Sequence, residues 1–174
     1  MHLGRCLCEA IEYAVEGAPR DIINCHCEFC QRATGSAYLV ETTFDKDKFT
    51  LRRGDPAVYQ HRSDGSGKRM HIHFCARCGT KTHLTFERFP AIVGVCSGTF
   101  DEKDWFERTA GNAFYFFLST APKGTVLPAG VEVYDAHYWQ AEGVASVPQV
   151  FASHTLVTDE LKEQSRQRLN GRGS

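Results

Sequence analysis

Residues 75–78 read Cys75-Ala76-Arg77-Cys78, and two strand-like runs, residues 69–74 and 81–86, flank this pair of cysteines. A short turn between two such runs predicts a β-hairpin that carries two thiols at its tip. The rest of the chain has the same character, because short apolar or alternating runs are separated by turn-forming residues such as Gly54 and Pro56. No long amphipathic pattern interrupts these runs, so the sequence predicts an all-β fold.

Seven of the eight cysteines lie in tight clusters, and these clusters are the strongest functional signal in the chain. The clustered cysteines are Cys6, Cys8, Cys25, Cys27, Cys30, Cys75 and Cys78. The N-terminal residues lack the charged and then apolar pattern of a secretory signal, so we expect a cytoplasmic protein. Clustered thiols in a reducing compartment are typical of metal sites rather than of disulfides. Zinc is the metal that thiolates favour in this setting, although iron can occupy similar sulfur sites.

The spacing of the clusters explains how they could bind metal. The turn in Cys-x-x-Cys lets both sulfurs reach one ion, and in an extended Cys-x-Cys segment both side chains point to one face. A zinc ion takes four ligands, so seven cysteines could close one site and leave the other with three sulfurs and an open position. The simplest partition joins residues 6–8 to residues 75–78 and leaves residues 25–30 with the second ion.

Other assignments stay open on spacing alone. A histidine could supply the missing eighth ligand, and both sites would then be purely structural. His26 lies between two cysteines, and alternation in an extended segment places its side chain away from theirs. His71 and His73 share a strand face with Cys75, but we expect them to be packed or solvated. Cys96 stands alone in an apolar run, where a small core residue is expected.

The composition argues against two classes of function. A formal net charge of −1, without a basic block, argues against a sequence-independent nucleic-acid binder. No apolar run approaches the roughly 20 residues that a membrane-spanning helix needs. The length of 174 residues suits one domain, which we place at residues 1–157. A polar helix or disordered tail is expected over residues 158–174, with Thr158 as the N-cap.

The order of the cysteine motifs resembles that of the glutathione-dependent formaldehyde-activating family, which also includes centromere protein V. The matching motifs are Gly4-Arg5-Cys6-Leu7-Cys8, Cys25-His26-Cys27-Glu28-Phe29-Cys30 and Phe74-Cys75-Ala76-Arg77-Cys78-Gly79-Thr80. Two departures stand out. Glu9 occupies a position where the family often has glycine, and the segment after Pro122 is longer than the family pattern leads one to expect.

The resemblance implies a β-tent, which is a pair of antiparallel sheets held by zinc. Two zinc ions per chain are expected. The resemblance assigns the structural zinc to Cys6, Cys8, Cys75 and Cys78, and a second, open zinc to Cys25, Cys27 and Cys30. The last three would then be the catalytic residues, in their role as ligands of the open zinc.

The activity implied by the resemblance is that of a carbon–sulfur lyase, which joins glutathione to formaldehyde as S-(hydroxymethyl)glutathione. The partners would be a small thiol and a small aldehyde, with no nucleic acid and no membrane. Glutathione carries two carboxylates, so cationic side chains are expected near the open zinc, with Arg32, Arg77 and Lys81 as candidates. The alternative is a non-catalytic zinc scaffold that acts through a protein partner.

Overall fold

The computed structural model describes residues 1–138 and 145–171, which form two compact units. Unit 1 comprises Met1–Ile22 and Val40–Glu107, and unit 2 comprises Ile23–Leu39 and Arg108–Ser174. The single-domain boundary between residues 157 and 158 stays a prediction.

Short strands dominate the described residues. The strands are β1 (His2–Arg5), β2 (Glu12–Val15), β3 (Asp21–Cys25), β4 (Leu39–Asp45), β5 (Phe49–Arg53), β6 (Ala57–Arg62), β7 (Arg69–Phe74), β8 (Lys81–Phe86), β9 (Ile92–Cys96), β10 (Ala113–Phe116), β11 (Val126–Leu127), β12 (Glu132–Val133), β13 (Gln149–Val150) and β14 (Thr155–Leu156). The helices are α1 (Glu28–Thr34) and α2 (Asp159–Gly171), and short 3-10 turns span Lys46–Lys48, Ser97–Thr99 and Leu118–Thr120. Neither of these two helices is long and apolar enough to cross a membrane.

The strands of each unit pair in a simple order. In unit 1, β1, β2 and β5 form an antiparallel sheet, and a second antiparallel set runs in the order β4-β9-β8-β7-β6. Strands β7 and β8 are the arms of the predicted hairpin. In unit 2, the order is β13-β12-β10-β3, and β10 and β12 are parallel. The predicted all-β fold is confirmed as a mostly β fold, and β10 and β12 pair in parallel where the predicted β-tent has antiparallel sheets.

The core of unit 1 comes mainly from strand residues, together with Phe100. Its buried cluster consists of Tyr13, Val15, Phe44, Val93, Val95 and Phe100. Gly4 lies against the Tyr13 ring, and a Cβ on residue 4 would collide with the Tyr13 hydroxyl. That hydroxyl lies 2.7 Å from Oγ1 of Thr99, so the ring has little freedom to move away. The glycine that opens the first cysteine motif is therefore required by packing against Tyr13.

Unit 2 has an apolar cluster of its own, which lies beyond residue 117. Its buried members are Leu118, Ala121, Leu127, Val133 and Val157. Helix α2 begins after Thr158, whose hydroxyl accepts a hydrogen bond from the Leu161 N–H at 3.2 Å. The side chain of Thr158 thus satisfies one of the free donors of the first turn. Residues 172–174, where we expected disorder, lie outside the described residues.

Helix α1 is an element that the sequence analysis did not predict. It follows Cys27 as N-cap and ends at Gly35, which has a φ of 67°. This left-handed conformation is readily adopted by glycine and is the usual end of a helix. The helix has only seven residues, so its sequence is too short to show a helical periodicity.

Candidate metal centres

The first cysteine group lies in unit 1 and contains Cys6, Cys8, Cys75 and Cys78. All four sulfurs lie within 4.8 Å of one another. The Sγ of Cys8 is 3.7 Å from that of Cys6 and 3.6 Å from that of Cys75. Cys6 and Cys75 are buried, whereas Cys8 and Cys78 are partly exposed. The structure therefore brings together the two cysteine pairs that the sequence analysis joined.

Local backbone hydrogen bonds position the two cysteine pairs. In the hairpin, the N–H of Cys75 donates to the carbonyl of Thr80 at 2.9 Å, and Gly79 N–H donates to the Cys75 carbonyl at 2.8 Å. The Thr80 hydroxyl oxygen accepts a hydrogen bond from Leu7 N–H at 3.2 Å, which links the two pairs. The same hydroxyl lies 3.2 Å from the Sγ of Cys78 and lowers the pKa of that thiol to about 5.

The turn after Cys8 contains Glu9, which occupies a position where the family often has glycine. Glu9 has a φ of 59°, in the left-handed region where a side chain is strained and glycine is not. Its N–H donates to the Cys6 carbonyl at 2.9 Å, and its carbonyl accepts a hydrogen bond from Arg53 at 2.7 Å. The turn is therefore kept by its hydrogen bonds even though residue 9 is not glycine.

The second cysteine group lies in unit 2 and contains Cys25, Cys27 and Cys30. Cys25 ends β3, Cys27 is the N-cap of α1, and Cys30 lies in that helix. The sulfurs of Cys25 and Cys27 are 3.5 Å apart, and the Cys30 N–H donates to the Cys27 sulfur at 3.3 Å. Cys25 and Cys30 are buried, and Cys27 is partly exposed. The end of β3 and the start of α1 therefore bring three sulfurs together, and the sulfur of Cys27 belongs to the partly exposed residue.

The three thiols of this group differ in acidity. Hydrogen bonds from the Cys25 and Cys30 thiols lower the pKa of the Cys27 thiol to about 3. The contact with Cys27 raises the pKa of Cys25, and the contact with Cys25 raises the pKa of Cys30. Negative charge in the group is therefore concentrated on the most exposed sulfur.

Both groups have the donor chemistry and spacing of a thiolate metal site. Sulfurs that each lie about 2.3 Å from a tetrahedral zinc ion are about 3.8 Å apart. Three sulfur separations, of 3.7, 3.6 and 3.5 Å, are close to that value, and all sulfurs within each group lie within 4.8 Å of one another. The groups could therefore hold metal ions, one with four sulfur ligands and the other with three.

His26 is absent from the cysteine groups formed by the described residues. Its Nδ1 lies 3.3 Å from the carbonyl oxygen of Phe116, and its ring centroid lies 4.9 Å from that of Tyr38 and 5.8 Å from that of Tyr115. Burial lowers the pKa of His26, which favours the neutral ring. Alternation directs the His26 ring away from the side chains of Cys25 and Cys27, so the ring anchors the segment by packing and not as a ligand.

Two residues that sequence reasoning missed hold the same segment from its backbone. The carbonyl of His26 accepts hydrogen bonds from Nε2 of Gln31 at 2.6 Å and from the hydroxyl of Thr120 at 2.9 Å. Gln31 directly follows Cys30, and this position in the sequence is only a weak signal for its role. Thr120 lies 94 residues from His26, and no local pattern could have identified it.

The remaining candidates of the sequence analysis lie outside both groups. Cys96 ends β9 and is buried, and burial raises the pKa of its thiol to about 12. The ring of His73 stacks on that of His83, with centroids 4.1 Å apart, and its Nε2 lies 3.1 Å from Oγ1 of Thr85. His71 and His73 are on β7, but neither is in a metal-type group of the described residues. Among the proposed cations, Arg77 and Lys81 belong to unit 1.

The chain was compared with family models, curated proteins and solved structures. The family model described as "Glutathione-dependent formaldehyde-activating enzyme" matches residues 1–117. A crystal structure of a Rhodobacter sphaeroides protein is similar at 25% sequence identity and a TM-score of 0.49, and the match covers 65% of this chain and 98% of that one. No curated protein matches the chain.

Proposed function

Because the chain belongs to the glutathione-dependent formaldehyde-activating enzyme family, we propose that it is a zinc-dependent carbon–sulfur lyase of the S-(hydroxymethyl)glutathione synthase type. In this reaction the sulfur of glutathione forms a bond to the carbon of formaldehyde. The electron pair of the carbonyl π bond moves to oxygen, and the proton of the thiol ends on the new hydroxyl. No electron is gained or lost overall, so neither an oxidant nor a reductant is required.

The observation that carries the proposal is the convergence of Cys25, Cys27 and Cys30 without a fourth ligand. Within residues 1–138 and 145–171, the group contains these three cysteines and no additional histidine, cysteine or carboxylate. A four-coordinate zinc ion in such a group would offer its last position to a substrate thiol and promote loss of the thiol proton. Three sulfurs with an open position favour chemistry, whereas a closed site would favour a purely structural role.

The side chains around this group support a defined position for a thiol. Cys25 and Cys30 are buried, and Cys27 is partly exposed. The hydrogen bonds from Gln31 and Thr120 to the His26 carbonyl hold the peptide between the first two cysteines. A substrate that reaches Cys27 therefore meets a preorganised site, and positioning of this kind lowers the barrier to bond formation.

Glutathione and formaldehyde are proposed as the substrates because the family description names them. Glutathione is abundant in reducing compartments, where free thiols persist, so the cytoplasmic location is part of the same proposal. Two zinc ions per chain are expected, one in each cysteine group.

The proposal is tested by metal analysis combined with calorimetric titration of glutathione. The wild type should contain two zinc ions per chain, whereas Cys27→Ser should contain one and should fail to bind glutathione. Cys96→Ala is the matched control, because Cys96 is buried outside both groups. Formation of S-(hydroxymethyl)glutathione should then be followed by NMR in both variants. Two zinc ions without glutathione binding in the wild type would refute the proposed activity.

One observation favours the alternative of a scaffold that acts through a protein partner. The segment beyond the family match carries an exposed apolar pair, Val126 on β11 and Leu156 on β14, which are directly paired across these strands. Exposed apolar groups on a folded surface are a feature of protein interfaces. A scaffold predicts that Leu156→Asp weakens partner binding and leaves glutathione binding unchanged.

A further inference from the structure

The two peptide groups that join Cys25 to Cys27 are both hydrogen-bonded to a distant segment of unit 2. The His26 N–H, which belongs to the first of these peptides, donates to the carbonyl of Phe116 at 3.0 Å. The His26 carbonyl, which belongs to the second, accepts a hydrogen bond from the Thr120 hydroxyl at 2.9 Å. The backbone between two of the three sulfurs is therefore held at both of its polar groups.

The segment that holds this backbone is a tight turn over residues 116–120, which we call the Phe117 turn. Phe117 has a φ of 64° and a ψ of 53°, a left-handed conformation that bulky residues rarely adopt. Its N–H donates to the Ala136 carbonyl at 3.2 Å, and its carbonyl accepts a hydrogen bond from the Thr120 N–H at 3.1 Å. These hydrogen bonds keep the backbone in a conformation that costs free energy.

The left-handed residue has a consequence for the cysteine segment. Phe116 ends β10, and Thr120 ends the short 3-10 turn that follows. If the chain continued as a strand, Thr120 would lie about 13 Å beyond Phe116. The turn at Phe117 instead lets both residues bond to His26. Strained backbone is concentrated at functional sites, and here the strain serves the segment that carries the cysteines.

Gln31 connects the Phe117 turn to helix α1. Its Nε2 donates to the His26 carbonyl at 2.6 Å and to the Thr120 carbonyl at 3.1 Å. Because Gln31 directly follows Cys30 in the chain, the same network reaches the third cysteine of the group. A shift of the turn would therefore move the three sulfurs relative to one another.

We propose that the Phe117 turn sets the spacing of the three sulfurs and thereby the metal affinity of the three-cysteine group, with Thr120 as the positioning residue. This inference rests on the proposed function, because it takes the group to be a metal site. Mutation of groups that orient metal ligands from outside typically lowers metal affinity by about 10–100-fold. Thr120 lies beyond the family match at residues 1–117, so the family motifs do not include this contact.

The test measures zinc release to a chelator from Thr120→Val, which removes the hydroxyl with little change of shape. Thr125→Val is the matched control. The Thr125 hydroxyl donates to the carbonyl three residues before it at 2.8 Å, and the Thr120 hydroxyl makes the equivalent contact at 3.3 Å. Cys27→Ser identifies the release step of the three-cysteine group. In that step Thr120→Val should bind zinc about tenfold more weakly, whereas Thr125→Val and Thr120→Ser should match the wild type.

The protein also provides an internal reference for folding. The four-cysteine group lies in unit 1, so its release step should be the same in all of the threonine variants. Cobalt(II) in place of zinc adds a readout of geometry, because its visible absorption depends on the arrangement of its ligands. The bands of the three-cysteine group should shift in Thr120→Val and return in Thr120→Ser.

The outcomes separate this inference from the proposed function. Equal zinc affinity of Thr120→Val and Thr125→Val would overturn the role of the turn, and glutathione binding by both would still support the lyase. Weaker zinc binding in Thr120→Val alone, in a protein that does not bind glutathione, would support the turn and refute the lyase. Equal weakening of both release steps would indicate a general loss of folding and overturn the positioning role.

Discussion

The backbone N–H of Cys30 donates a hydrogen bond to the Sγ of Cys27 at 3.3 Å. Cys27 is the N-cap of α1, so its sulfur satisfies a free donor of the helix while it belongs to the three-cysteine group. The helix start and the candidate metal site are therefore built on the same atom. Any substitution of this cysteine affects both.

The two roles of Cys27 can be separated by comparing serine with alanine. Both Cys27→Ser and Cys27→Ala should lose one metal ion per chain. Serine can still cap the helix and alanine cannot, so Cys27→Ala should be less stable by about 1 kcal/mol. Chemical denaturation with circular dichroism measures this difference. Cys25→Ser and Cys25→Ala are the control pair, since Cys25 ends β3 and caps no helix; an equal difference in that pair would contradict the assignment.

The two cysteine groups should contribute unequally to stability. The first group joins positions such as Cys8 and Cys75, which are 67 residues apart, whereas the second lies within residues 25–30. Closing the longer loop restricts the unfolded chain more, by about 2 kcal/mol from loop length alone. Cys78→Ser should therefore lower the unfolding free energy more than Cys27→Ser. Denaturant titration of the two variants with metal content determined in parallel would show the order, and a reversed order would contradict it.

Glu9 should be a site where glycine stabilises the protein. The φ of 59° costs energy for any residue with a Cβ, and glycine avoids this cost. Glu9→Gly should therefore raise the unfolding free energy by up to about 1 kcal/mol. Glu9→Ala removes the same carboxylate but keeps the strain, so it should show no such gain. Thermal unfolding of the three proteins measures the effect, and equal gains in both variants would point to the charge instead.

His83 should make stability depend on pH. Burial, with a smaller effect of the adjacent His73, lowers the pKa of His83 to about 3, whereas an unfolded histidine has a pKa of about 6.5. The unfolded state therefore binds more protons between these two values, and stability falls as the pH drops below 6.5. From pH 6.5 to 5 the wild type should lose about 2 kcal/mol more than His83→Gln. Parallel loss in both proteins over this range would exclude His83 as the cause.

Helix α2 should depend on a buried ion pair. Asp135 is buried and accepts hydrogen bonds from Arg168 at 2.8 and 3.0 Å and from the Ser165 hydroxyl at 2.7 Å. Arg168→Ala would remove both of these charge-assisted hydrogen bonds from a buried carboxylate, at a cost of about 3 kcal/mol. Hydrogen exchange of residues 159–171 should become faster in this variant. Arg166→Ala is the control, because Arg166 pairs with Glu163 on the exposed surface; equal exchange in both variants would contradict the prediction.

The cysteine groups show what short-range pattern can determine. The spacing of Cys25, Cys27 and Cys30 confines three thiols to six residues, so they can meet whatever the rest of the chain does. Strand alternation around Cys75 and Cys78 predicted the hairpin that carries them. Joining this hairpin to Cys6 and Cys8 required a count of ligands and a family resemblance, because the spacing of each pair says nothing about its partner.

The sequence by itself determined the mostly β class, the cysteine motifs and the family, because each depends on residues that are neighbours in the chain. Only the tertiary structure decided which distant residues surround the segment that contains Cys25, Cys27 and Cys30. Tyr38 and Tyr115 meet at His26, and Thr120 reaches its carbonyl, only after strands far apart in sequence have paired. Asp135 and Arg168 likewise meet only in the folded unit 2. Contacts of this kind depend on strand register and core packing, which no local spacing specifies.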